Sequence, residues 1–157
     1  MEWVLLIPFG LIAVIFMENQ KKEAPQNFKQ RMLADLAQVN LAGIPAKFIL
    51  SVASLETGNG IESHLSESNN PFNIHAIGNQ PFVLVGQEHI RQFTSFKDAI
   101  SHFVSLISQD PRYAMAYSSA QAGDAYGFFY GLQSGGYAAN PQYASSLMGV
   151  YNSLGVA

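Results

Sequence analysis

Apolar residues recur at helical spacing in several stretches of this chain, and two of these frame its chemistry. Phe96, Ile100, Phe103, Val104 and Ile107 form one stripe, which stops at Asp110-Pro111. Ahead of it, Ser95-Phe96-Lys97-Asp98 makes a capping box with Asp in the third helical position. The second stretch covers residues 45–57. Pro45 suits the first helical position and Gly58 the residue just past the end. Ile49, Val52, Ala53 and Glu56 fall at i, i+3, i+4 and i+7, so a carboxylate shares the core-facing stripe of this helix.

Further helices follow from the same periodicity. Asn27 can cap one whose apolar positions are Phe28, Met32, Leu36 and Val39. Others are expected near 113–119, 122–134 and 141–154, the penultimate one closed by Gly135-Gly136. Residues 58–92 lack helical periodicity and are rich in Gly, Asn, Ser and Pro. Within them 82–85 and 88–93 predict a hairpin turning at Gly86-Gln87. The expected fold is α+β and mostly helical, with one irregular lobe carrying a small β-hairpin.

Glu56 is the most informative residue. At the end of an apolar helix it is partly desolvated and near the negative end of the helix dipole. Both effects disfavour its charge and raise its pKa, which is the tuning a glycosidase general acid needs. The plain alternative is a surface Glu in a last helical turn.

Residues 3–17 are fifteen uncharged, almost wholly apolar positions. As a helix they span about 22 Å at 1.5 Å per residue, short of a hydrocarbon core of about 30 Å. Signal-peptide flanks are missing: Met1-Glu2 carries no Lys or Arg, and Glu18-Asn19-Gln20-Lys21-Lys22 offers no small-residue cleavage site. The expectation is an uncleaved single-pass membrane anchor, with a buried or partner-binding helix as the alternative. Lys21-Lys22 weakly favours a cytoplasmic C-terminal side. The chain then divides into an anchor and polar linker over 1–26 and a globular domain over 27–157.

Composition narrows the function classes. With 8 basic and 11 acidic residues, a net charge of −3 and no basic run, the chain has no electrostatic footprint for nucleic acid. It has no cysteine, which excludes disulfides, thiol catalysis and Cys-based zinc sites. His64, His75, His89 and His102 show no metal-ligand spacing, and no cofactor or metal is expected. His102 lies four residues after Asp98 and is expected to pair with it locally. Gly58-Asn59-Gly60 follows a helix instead of preceding one, so it is no phosphate loop. The aromatic cluster Tyr113, Tyr117, Tyr126, Phe128, Phe129 and Tyr130 could stack on sugars, although helical spacing favours core.

Five segments in order carry a resemblance. They are Glu56-Thr57-Gly58-Asn59-Gly60, Asn70-Pro71-Phe72-Asn73-Ile74-His75, Phe93-Thr94-Ser95-Phe96-Lys97-Asp98-Ala99-Ile100, Asp110-Pro111-Arg112-Tyr113-Ala114 and Gly136-Tyr137-Ala138-Ala139-Asn140-Pro141-Gln142-Tyr143-Ala144. Across about residues 44–150 the chain resembles the glucosaminidase family of peptidoglycan hydrolases (glycoside hydrolase family 73). In that family the first two segments read Glu-Ser-Gly-Trp-Gly and Asn-Leu-Phe-Gly-Ile-Lys, and the last reads Gly-Tyr-Ala-Thr-Asp-Pro-x-Tyr-Ala. The resemblance implies a lysozyme-like domain that hydrolyses β-1,4 links of the peptidoglycan glycan. It puts Glu56 at the general acid, Tyr137 in the substrate groove, and Asn70 and Phe72 in the motif shaping the cleft. Read on their own residues, Tyr137 can equally be a core aromatic with a satisfied hydroxyl, Phe72 packing, and Asn70 a turn residue before Pro71.

Three departures matter. The family Trp is Asn59 here, which removes one apolar wall. The family Asp is Asn140, which serves equally well if the position only caps the helix starting at Pro141. The lobe between the two central motifs is short, and Glu88 is its one acidic residue and so the candidate second carboxylate, against a solvated hairpin charge. A route using the substrate's own acetamido group needs no second carboxylate. Two other readings stay open: a lytic transglycosylase with one acid/base Glu, and a non-catalytic glycan-binding or structural relative in a virion or envelope assembly. The expected partners are glycan strands of the wall and, through residues 3–17, a membrane of cellular or viral origin.

Overall fold

The computed structural model describes residues 25–155. The segment read as an anchor therefore lies outside the described residues, and among these no helix is long and apolar enough to cross a membrane. Helix α1 spans Pro25–Leu36 and begins two residues before the expected cap, so Asn27 lies in its first turn. Three of its four expected stripe positions, Phe28, Met32 and Leu36, are buried, whereas Val39 lies past the helix end and is only partly buried.

Helix α2, Ala46–Glu56, sits at the centre. Every residue from Phe48 to Ser54 is buried, so the helix is enclosed on all sides, with α1 and α7 packed against it. Pro45 occupies the position just before the helix instead of its first turn. The helix is closed by Thr57, whose buried hydroxyl donates to Ala53 O (2.7 Å) and accepts from Gly60 N (2.9 Å). Gly60 has φ +85°, and a Cβ there would lie 2.6 Å from Phe28 Cβ. Only glycine lets the turn after Glu56 pack so closely on α1.

A short helix α3 (Leu65–Ser68) leads into the irregular lobe. Strands β1 (Phe82–Val85) and β2 (Glu88–Arg91) pair antiparallel, with Phe82 opposite Arg91 and Val85 opposite Glu88, around the expected Gly86-Gln87 turn. Helix α4 (Phe96–Gln109) carries the predicted stripe, and its cap Ser95 accepts from Asp98 N (3.2 Å). After a 3-10 turn at Pro111–Tyr113 come α5 (Ala114–Gln121), α6 (Ala125–Ser134) and α7 (Tyr143–Ser153). A Cβ on Gly131 would meet Ala116 N at 2.4 Å, so α5 and α6 approach backbone to backbone through that glycine. The predicted aromatic cluster divides. Tyr113, Phe128 and Phe129 are core, whereas Tyr126 and Tyr130 stack on each other at the surface of α6.

Candidate active site

Glu56 is the last residue of α2, where the buried helix meets the irregular lobe. Its side chain is partly buried and held from two directions. Tyr143, at the start of α7, donates its hydroxyl to Oε1 at 2.5 Å. Asn73 Nδ2 donates to the backbone carbonyl of Glu56 at 2.8 Å and reaches Oε2 at 3.3 Å. Burial raises the Glu56 carboxyl from its ordinary value of 4.5, and the Tyr143 and Asn73 hydrogen bonds oppose that rise without cancelling it. The stronger donor sits on Oε1, which disfavours a proton there. Of the two oxygens, Oε2, with the longer and weaker contact, is the better able to carry a proton when the carboxyl is neutral.

Tyr143 keeps its own proton, because burial and then the charge of Glu56 push its phenol far up. It is itself supported. The Tyr137 ring stacks on it at 6.0 Å, and Tyr137 donates its hydroxyl to Phe72 O at 2.8 Å. Phe72 is 1% exposed and stacks on Phe103 at 4.4 Å.

These contacts agree with the plain readings of three residues. Phe72 is packing and offers no surface to a ligand. Asn70 is fully buried: its Nδ2 donates to Ile74 O (2.8 Å) and Arg91 O (2.9 Å), and its Oδ1 accepts from Phe72 N and Ile74 N. It ties the 70–74 turn to β2, which is more than a turn residue does and leaves it no free polar atom. Tyr137 spends its hydroxyl on the protein and braces Tyr143.

Glu88 pairs with His75 and does not shift the Glu56 carboxyl. Its side chain, on the hairpin, is 62% exposed and lies 3.8 Å from His75 Nε2, and among the described residues no carboxylate perturbs Glu56. His102 does not pair with Asp98. It accepts from Arg91 (3.1 Å to Nε2), while Asp98 takes hydrogen bonds from Thr94 and Ser95. Asn59 is exposed at φ +62°, a conformation Asn tolerates, and supplies no apolar wall.

Asn140 Oδ1 accepts from Gln142 N at 2.9 Å, and α7 starts at Tyr143, two residues later than expected. The side chain thus holds the turn leading into α7. Asn140→Asp should leave the thermal midpoint and activity close to the parent, and Asn140→Ala should cost about 1 kcal/mol by denaturant melt. A sharp activity gain in Asn140→Asp would instead make the position a catalytic carboxylate.

Tyr143 and Asn73 were not singled out from sequence, although both lie inside segments that carry the resemblance. Tyr143 shares an apolar stripe with Leu147, and a buried tyrosine needs an acceptor for its hydroxyl.

The family model described as "Glucosaminidase: Mannosyl-glycoprotein endo-beta-N-acetylglucosaminidase" matches residues 34–155, which include every group just described. The chain belongs to the glucosaminidase family. Peptidoglycan hydrolase FlgJ of Escherichia coli strain K12 is 29% identical over 88% of this chain and 55% of its own length. FlgJ of Vibrio parahaemolyticus is 29% identical over 92% of this chain and 52% of its own. The chain thus spans about half the length of the curated relatives it matches. Among solved structures, a peptidoglycan hydrolase mutant from Sphingomonas sp. A1 superposes with a TM-score of 0.68 at 29% identity, covering 82% of this chain and 94% of that one. The glycoside hydrolase domain of Salmonella typhimurium FlgJ gives a TM-score of 0.66 at 28% identity, over 83% and 88% of the two chains. The mostly helical architecture with one small hairpin is the lysozyme-like glucosaminidase fold, as the resemblance implied.

Proposed function

We propose that this chain is a peptidoglycan hydrolase that cuts β-1,4 glycosidic bonds with Glu56 as general acid. The observation that carries the reading is a glutamate whose carboxyl is raised by burial, at the end of the central helix where it meets the irregular lobe, with Tyr143 donating to one carboxyl oxygen and Asn73 to the other. Family membership and the named activity of the relatives support the substrate class.

In the proposed reaction the Glu56 proton passes from Oε2 to the glycosidic oxygen as the bond to C1 breaks. The charge left on Glu56 is met by Tyr143 and Asn73. The resulting carboxylate then takes a proton from the water that attacks C1, which restores the acid. A protein nucleophile would need a second carboxyl about 5 Å away. Because no carboxylate among the described residues acts on Glu56 and Glu88 is exposed on the hairpin, the acetamido oxygen of the substrate is the better candidate to cover C1 between the two steps. The same single acid supports a second reading, a lytic transglycosylase, in which the sugar's own 6-hydroxyl replaces water. Purified chain added to isolated sacculi should lower their turbidity; an unchanged suspension would contradict both readings.

Residues 3–17 are proposed as a membrane tether for this activity, on their apolar run alone. The full chain should float with lipid vesicles in a density gradient and a chain lacking residues 1–24 should not. Equal flotation, or loss of cooperative melting on truncation, would assign the segment elsewhere.

A further inference from the structure

Asn73 stands where the family pattern has glycine, and it does more than fill the position. Its φ is +49°, in the left-handed region that glycine and asparagine both adopt. What asparagine adds is an amide whose nitrogen spans the two ends of Glu56, the backbone carbonyl and Oε2. The carbonyl is one that the helix end leaves without an intrahelical partner.

An amide donates only through nitrogen and accepts only through oxygen, so a flip would turn Oδ1 onto two oxygens of Glu56. His64 bears on that choice. Its Nε2 lies 3.0 Å from Asn73 Oδ1, and with Nδ2 turned to Glu56 it must be the N–H donor. His64 is 8% exposed, and its Nδ1 is buried with no hydrogen-bond partner among the described residues. An apolar side chain would fill this space without stranding a ring nitrogen. The contact made by Nε2 is the one feature of the ring that an apolar replacement could not supply.

We propose that Asn73 is a positioning residue for the acid and that His64 fixes the direction of its amide. The pair orients the Glu56 carboxyl and stabilises its charged form against burial. The other titratable groups facing Glu56 are Tyr143 from α7 and Tyr137 from the loop before it. The inference rests on Glu56 being the acid.

The test is the pH dependence of sacculus clearing by the full chain. Asn73→Gly restores the family residue without backbone strain, so it should fold as the parent does. Its kcat should fall about tenfold with KM little changed, short of the ~10²-fold that a 1 Å misplacement costs. Its basic limb should move to higher pH, because a donor to the carboxylate is gone. His64→Leu should move the limb the same way, and His64→Gln, which keeps a donor near the Nε2 position, should restore it. Parent kcat and an unmoved limb in Asn73→Gly would overturn the positioning role. A limb moved by His64→Leu and not restored by His64→Gln would overturn the part given to His64. Glu56→Gln separates the two levels. If it retains parent activity, the acid reading fails; if it is inactive while Asn73→Gly behaves as parent, only this inference fails.

Discussion

Replacing Glu56 by Gln should reduce glycan cleavage by about 10²–10⁴-fold, the usual contribution of a general acid, while the chain stays folded. Gln keeps the shape and can still accept from Tyr143, so the loss isolates the transferable proton. The same variant carries a second, independent expectation. Because burial raises the Glu56 carboxyl above 4.5 in the folded chain, the folded state holds this proton to higher pH than the unfolded state. Its contribution to stability is therefore complete below 4.5 and is lost as pH rises through the folded value. Relative to the parent, the thermal midpoint of Glu56→Gln should improve as pH is raised from 4.5 towards neutrality. Glu88→Gln, on the exposed hairpin, should retain the parent rate if the substrate's acetamido group acts. A rate lost in Glu88→Gln and kept in Glu56→Gln would reverse the assignment.

Tyr143→Phe is expected to be nearly as informative. It removes a donor 2.5 Å from Oε1 and leaves a ring that can still stack on Tyr137. In the proposed reaction Glu56 gives up its proton, and negative charge builds on the group that this hydroxyl serves. A hydrogen bond to a charged group contributes about 1.5–3 kcal/mol, so kcat should fall by about 10–10²-fold. With burial unchanged and one opposing donor gone, the Glu56 pKa moves further up and the basic limb shifts to higher pH. Steady-state rates across pH check both effects. Parent kcat with an unmoved limb would mean that the contact has no part in the reaction.

The features legible in the sequence are those with local causes. The α4 stripe, its Ser95 cap, the two-residue hairpin turn and the buried face of α2 each follow from side chains a few positions apart. Glu56 was legible for the same reason, as a carboxylate in register with Ile49, Val52 and Ala53. Its partners were not. Tyr143 is 87 residues away and Asn73 is 17, and contacts made by tertiary packing leave no periodic trace. His102 shows the converse error. Spacing alone offered Asp98, but Asp98 was already engaged at the cap and Arg91 approached from β2. Asn70 looked like a turn signal before Pro71, and only the fold reveals that all its hydrogen-bonding capacity is spent joining that turn to the sheet.

The most direct test is mass spectrometry of peptidoglycan digested in heavy-oxygen water by the full chain and by Glu56→Gln. Hydrolysis with Glu56 as acid predicts new reducing ends carrying one heavy oxygen in the parent digest and almost none with the variant. Anhydro-sugar ends without heavy oxygen, or labelled ends formed equally by both proteins, would contradict it.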